Sequence, residues 1–134
     1  MPDHLTPAQR TRAMKRVNLK DGSLEKLVQK EPHLRGLKFR RHVRSLRGSP
    51  DIVFPKEKLV VFVDGDFWHG WRLPAWEHKV SKFWRDKLRA NRARDQRNFR
   101  SLRAEGWKII RIWQHQLKRD GCESCVWRII RALR

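Results

Sequence analysis

The sequence predicts an α/β domain built on a mixed sheet with helices on its faces, and three observations carry that expectation. Two short apolar runs, 52–54 and 59–63, flank the charged turn Pro55-Lys56-Glu57-Lys58 and read as a hairpin. A long helical pattern over 81–105 then offers a crossover to a further apolar strand over 107–113. Helical stripes before the hairpin and after the last strand supply the cover that a sheet buried on both faces needs.

Taken in order, Thr6-Pro7 pairs an N-cap with proline at the first helical position and opens a basic helix through about Val17, with Arg10, Arg12, Lys15 and Arg16 around Met14. Asp21-Gly22-Ser23 caps a second helix whose Leu24, Leu27 and Val28 fall at i, i+3 and i+4, and Pro32 ends it. Over 37–43, Leu37, Phe39, Arg41 and Val43 alternate with Lys38, Arg40 and His42, the pattern of a half-exposed strand with a basic outer face. The turn Arg47-Gly48-Ser49-Pro50 delivers Asp51 to the start of the hairpin. After the second hairpin strand, Gly65 allows a sharp bend, and Phe67, Trp68, His69 and Trp71 crowd the loop that follows. The long helix carries Phe83, Trp84, Leu88, Phe99 and Leu102 on its apolar side, is otherwise densely basic, and meets Gly106 as a C-terminal cap. Ile109, Ile110 and Ile112 mark the last strand, and Val126, Ile129, Ile130 and Leu133 form the packing stripe of a closing helix. No repeat or long linker divides the chain, so residues 1–134 are expected to form one domain.

Composition narrows the function. Thirty-three Lys and Arg oppose 14 Asp and Glu, a formal net charge of +19. So large an excess on a small domain calls for a polyanionic partner, because self-repulsion in the compact state must be offset. Seven Trp, six Phe and a hydrophobic fraction of 39% exclude a disordered basic tail. No apolar run approaches the roughly 18 residues of a spanning helix. The first residues are too polar for a signal peptide, so the expected location is cytoplasmic, with the nucleoid. Only Cys122 and Cys125 are present, and they read as ordinary thiols rather than a disulfide framework.

Acids gather at strand ends: Asp51 before the first hairpin strand, and Asp64 and Asp66, with His69, past the second. Phosphodiester hydrolysis needs an activated water, relief of charge on the reacting phosphoryl group and stabilisation of the leaving oxygen, and carboxylate-held Mg²⁺ supplies all three. Asp51 is the natural ligand, a main-chain carbonyl near Val63 offers a second oxygen, and the His69 imidazole suits proton transfer. The bland rival is a basic DNA-binding module whose acids balance charge.

Glu25, the Arg47-Gly48-Ser49-Pro50-Asp51 turn, Val61-Phe62-Val63-Asp64-Gly65-Asp66-Phe67-Trp68-His69, Phe83-Trp84, Lys87, Asn91, Arg94-Asp95 and Gly106-Trp107 together resemble the very-short-patch-repair (Vsr) mismatch endonucleases over nearly the whole chain. The resemblance implies a restriction-endonuclease-like fold of the PD-(D/E)XK type. It also implies a nuclease that nicks one strand of double-stranded DNA at a T:G mismatch, with a pair of Mg²⁺ ions as cofactor. In that scheme Asp51 and the Val63 carbonyl hold the metal, Glu25 orders water beside it, and His69 transfers a proton. Met14, Phe67 and Trp68 would wedge into the base stack, Lys87, Asn91 and Arg94 would join them in DNA binding, and residues 1–20 would form a DNA-contacting helix. Asp64 stands where the family carries a second active-site histidine, so it is expected either to serve in catalysis there or to add a metal ligand. The family's structural zinc would fall on Asp66, Trp71, Leu73 and His115, a poor zinc set, so no zinc is expected and Trp packing takes its place. The resemblance further implies a monomer, with mismatch-repair proteins as candidate partners. Among enzymes, the alternative is a related nuclease of a restriction, defence or homing system that cuts matched DNA.

Overall fold

The computed structural model describes residues 23–133, so the expected helix over 6–17, including Met14, lies outside the described residues. Helix α1 (Ser23–Lys30) turns Leu24 and Val28 inward and ends before Pro32, which opens a single 3-10 turn, Pro32–Leu34. One sheet follows in the order β1 (Arg40–Arg41), β2 (Ile52–Phe54), β3 (Leu59–Asp64) and β4 (Lys108–Trp113). The first three strands pair antiparallel, as a hairpin and its edge, and β4 lies parallel to β3. Only a long crossover permits that last pairing, and helix α3 (Lys82–Ala104) provides it. The mixed sheet expected from the sequence is therefore present.

Strand β3 is buried at all six positions, and its side chains alternate between two cores. Leu59, Val61 and Val63 join α1 and the closing helix α4 (Gln114–Leu133), while Val60 and Phe62 pack with Leu102 and Phe99 of α3. Helices thus cover both faces, which explains why β3 reads as an unbroken apolar run. The boundaries of α3 follow local chemistry. Ser81 Oγ accepts the Trp84 N–H, and at the other end Gly106 (φ 92) closes a Schellman turn in which the Trp107 N–H donates to the Leu102 carbonyl at 3.0 Å.

Four expectations need correction. The strand anticipated over 37–43 shrinks to Arg40 and Arg41, because His42 takes φ 52 and leaves the extended conformation. The left-handed glycine of the aromatic loop is Gly70 (φ 66) rather than Gly65, and a Cβ there would stand 3.0 Å from the Arg92 side chain. Phe83 is 54% exposed, so the inward stripe of α3 is Trp84, Leu88, Asn91, Asp95 and Leu102, with two polar residues at its centre. Finally, the closing helix read from the stripe over 126–133 starts earlier, since α4 begins directly after β4, with Gly121 (φ 81) breaking the helical geometry where two segments meet. A short helix, α2 (Leu73–Trp76), and the 3-10 turn Glu77–Lys79 occupy the loop before α3.

Candidate active site

Pairing in the hairpin places the first acid. The Asp51 N–H donates to the Val61 carbonyl at 2.9 Å, and beyond that point β2 offers β3 no further main-chain partner. Asp51 Oδ2 fills the gap by accepting the Val63 N–H at 2.6 Å. The preceding turn is equally constrained. Gly48 sits at φ 78 with the Phe62 ring 3.0 Å from where a Cβ would be, so a side chain there is strained and crowded. His42 caps the other side of Asp51: its N–H donates to the Asp51 carbonyl at 2.9 Å, and its Nδ1 lies 3.7 Å from Asp51 Oδ1. His42 Nε2 is 3.8 Å from Glu25 Oε1.

Ligand-capable atoms of Glu25, His42 and Asp51 all fall within 4.8 Å of one another. Glu25 comes from α1, is 3% exposed, and its buried Oε2 has no hydrogen-bond partner among the described residues. A buried acceptor left in that state is costly unless something outside the protein completes it. Burial pushes the Asp51 pKa up to about 7, and the neighbouring Asp64 and Glu25 charges add to the rise, against the opposing pull of the Val63 N–H and His69. Crowded, desolvated carboxylates with an unfilled acceptor suit a hard divalent cation. The imidazole of His42 is the softer donor of the three, so a fit to Mg²⁺ rests on the oxygens.

A second cluster adjoins the first. His69 Nδ1 lies 2.7 Å from Asp95 Oδ2, and His69 Nε2 lies 3.3 Å from Asp64 Oδ1. Burial works to raise the Asp95 pKa, yet the His69 hydrogen bond and the charges of His69, Arg111 and Arg94 outweigh it and hold the carboxyl below its ordinary range. An ionised Asp95 only accepts, so the proton between them sits on His69 Nδ1 and Nε2 is left to face Asp64. Asp64 is pushed above the usual carboxylate range by burial, although His69 and Arg111 both pull it down. Arg111 ties the cluster together. Its Nε donates to Asp64 Oδ2 at 2.6 Å, its Nη2 donates to Asp95 Oδ2 at 2.8 Å, and its guanidinium lies 4.1 Å from the Trp113 ring centroid.

A groove of about 630 Å³ is lined by Asp51, Asp64, His69 and Asp95, with Trp68 and Arg94 among the other residues around it. Expected catalytic residues Glu25, Asp51, Asp64 and His69, and the Val63 backbone, therefore come together. The expected DNA-contacting residues divide. Arg94 is exposed, and Lys87 Nζ stands 5.4 Å from the centroid of the Trp68 ring. Trp68 itself is only 7% exposed, and Phe67 is half-buried between Trp76, stacked at 5.8 Å, and the edge-on Trp84 at 5.3 Å. Asn91 is turned inward, where its Nδ2 donates to the Trp68 carbonyl at 2.9 Å. The structure thus makes Asn91 a support for the aromatic loop.

Three contributors escaped sequence reasoning. The alternation over 37–43 puts His42 on the outer face of a strand. Asp95 was noticed without a role, although its fit to the inward stripe of α3 is a readable signal for a buried polar group with a purpose. Arg111 gave no signal at all. Replacing it, as Arg111→Leu, is expected to destabilise the fold by about 3 kcal/mol or more, because Asp64 is left buried beside Asp95 without its counter-charge. Arg111→Lys should fall between, since an ammonium lacks the planar fork that reaches two carboxylates. Urea unfolding of the three proteins measures this, and equal midpoints would refute the bridging role.

Of the four positions where the family's zinc would fall, Asp66, Trp71 and His115 meet. His115 Nδ1 lies 2.8 Å from Asp66 Oδ1, and Trp71 packs on His115 and Trp113 at 4.7 and 4.9 Å, while Leu73 is buried. Two of those four side chains carry no ligating atom. The pair and the rings close this corner by ordinary contacts.

Comparison with known proteins supplies an independent line. The family described as DNA mismatch endonuclease Vsr matches residues 2–74. The chain is 44% identical over 123 residues to the type II nicking enzyme V.XorIIP of Xanthomonas oryzae pv. oryzae, covering 90% of each chain. It is 36% identical over 136 residues to the type II nicking enzyme V.NmeDIP of Neisseria meningitidis serogroup C, covering 98% of this chain and 90% of that one. Against the DNA mismatch endonuclease Vsr of Escherichia coli it is 31% identical over 123 residues, or 88% of this chain and 77% of that one.

Proposed function

Because this chain belongs to the Vsr family of DNA endonucleases, whose fold is restriction-endonuclease-like, we propose that it nicks one strand of duplex DNA at or beside a T:G mismatch with Mg²⁺ as cofactor. The observation that carries the reading is the meeting of Asp51 with a His69–Asp95 pair at one groove, with the Glu25 carboxylate buried against Asp51 and His42 behind it. Asp51 and Glu25 supply oxygen ligands. The Val63 N–H already points at Asp51, and in extended chain the carbonyl of the same residue projects to the same side, which supports it as a further oxygen. Bound there, Mg²⁺ would polarise the scissile phosphate and offset charge on the leaving oxygen.

The remaining steps belong to the chain's own groups. Asp95 fixes the His69 tautomer, so Nε2 is the nitrogen that takes or returns a proton at the groove. Asp64, held ready by Arg111, stands beside Nε2 as the proton's second resting place. Arg94 lies at the groove with its guanidinium free to meet a phosphate, apart from a 3.5 Å contact to Asp95. Every group in this scheme comes from a single chain, which supports a monomer as the acting unit. Asp66 and His115 alone make too few donors for a structural zinc, so none is required here.

The aromatic loop supports mismatch recognition: Trp68 lines the groove, and a mispaired step is cheaper to unstack than a paired one. End-labelled duplexes that differ only in T:G or T:A at one position test it. Preference for T:G by about 10²-fold is expected, the equivalent of a few kcal/mol of unstacking. Trp68→Ala should erase that preference while lowering total DNA affinity less. Equal cutting of both duplexes would favour a second reading, a nickase of matched sites, to which the type II nicking enzyme names of several relatives lend weight.

A further inference from the structure

Away from the catalytic groove, a second depression of about 700 Å³ runs along the outer edge of β1. Its rim carries Lys38, Arg40, Arg41 and Lys56, its floor includes the half-buried Leu37 and Phe39, and among the described residues no acid lines it. Among the described residues, none of these four cations takes part in an ion pair, whereas most acids of the molecule do. Cations on an edge strand also serve to discourage strand addition from another molecule. Blocking an edge does not call for a lined groove, however, nor for Lys56, which stands on the β2–β3 turn rather than on the edge.

Position within the fold says what the groove is for. Arg41 pairs with Ile52, and the next residue, His42, is the one that faces Asp51 and Glu25. The cationic strip is therefore continuous in the chain with the candidate metal site. Four residue steps separate Lys38 from His42, a reach of at most about 13 Å, or up to about four base-pair steps of duplex DNA at roughly 3.4 Å each.

We propose that this groove holds the phosphate backbone of the duplex up to about four base pairs to one side of the scissile bond, so that the footprint runs along β1 and not only across the catalytic groove. The inference rests on the reading of the chain as a duplex nuclease and deepens it by naming a flank. Uncompensated charge of this density is stabilised when a polyanion releases its counterions on binding.

The test uses nickable duplexes that end about two base pairs past the cleavage position on one side or the other, each compared with a version extended by about ten. Binding is measured without divalent metal from 50 to 200 mM salt, a range over which such contacts weaken steeply. Extension on one side only should tighten binding by the wild-type protein and steepen the salt slope by about 2 if two phosphates are held, at roughly 0.9 per contact. The variant K38A/R40A/R41A/K56A should lose that gain, keep its affinity for the short duplex, and nick at saturating protein within about twofold of wild type. Lys56→Glu, a single change in an exposed turn, should remove part of the gain and guards against a folding defect in the multiple variant. A wild-type protein indifferent to extension, or variants that keep the whole gain, would overturn the proposal and leave the groove to some other anionic partner. Absence of nicking on every duplex would sink the nuclease reading instead, while the length-dependent binding still decides this one.

Discussion

Asp51→Asn is expected to abolish nicking and, at neutral pH without metal, to make the protein more resistant to unfolding. Both outcomes follow from the same burial. The carboxyl ordinarily titrates near 3.8 and is pushed to about 7 in the folded state, chiefly by burial and then by the Asp64 and Glu25 charges. Between those values the native protein holds a proton that the unfolded chain has released, so stability falls as pH rises through the window and the loss is complete above about pH 7. At about 1.4 kcal/mol per unit the ceiling is a few kcal/mol, and a measured gain of about 1–3 kcal/mol for the amide is expected. That corresponds to roughly 3–4 °C per kcal/mol for a domain of this size. The amide oxygen can still accept the Val63 N–H, so the turn survives. Cleavage falls by at least about 10³-fold, because several kcal/mol of charge stabilisation disappear with the carboxylate.

Thermal melts of both proteins from pH 4 to 8 check the first half. The difference between them should open as pH rises and vanish near pH 4. Adding Mg²⁺ should narrow the gap at neutral pH by stabilising only the wild type, by about 2.7 kcal/mol at a hundred times its dissociation constant. A flat difference across pH would show that Asp51 sits in the fold without strain, and retained nicking would remove it from the chemistry.

His69→Ala is expected to slow single-turnover nicking by about 10²- to 10⁴-fold while the DNA dissociation constant changes little, the signature of a lost proton-transfer group. Asp95→Asn should cost less than His69→Ala, since the imidazole remains and only the acceptor that fixes its tautomer is weakened. Asp64→Asn separates two roles. If Asp64 only rests against Nε2, its loss should be milder than that of His69; if it carries the proton, the two should match. A His69→Ala enzyme within about threefold of wild type would move proton transfer to Asp64.

Several parts of this molecule were legible before any fold was known. The hairpin over 52–63 announced itself through two β-rich runs around a charged turn, and α3 through a serine cap at one end and a left-handed glycine at the other. Those signals act within a few residues, and burial has only to agree with them. Asp51 and His69 stood out because an acid and an imidazole fall next to the ends of adjoining strands, within the residues that carry the family resemblance. His42 misled for a related reason: alternation assigned it a face, and the left-handed backbone at that residue took it off the strand altogether.

Sequence alone determined the kind of domain, its sheet-forming segments, its need for a polyanion and the two side chains on which the proposed chemistry turns. Only the tertiary structure decided which groups surround them. Arg111 reaches Asp64 across 47 residues, Asp95 reaches His69 across 26, and Glu25 approaches from a helix that shares no hydrogen-bond ladder with the sheet. Periodicity reports which way a side chain faces within its own element. Which carboxylate then meets which base depends on the register of β2 against β3 and on the parallel docking of β4, and those are set by the packing of both cores together.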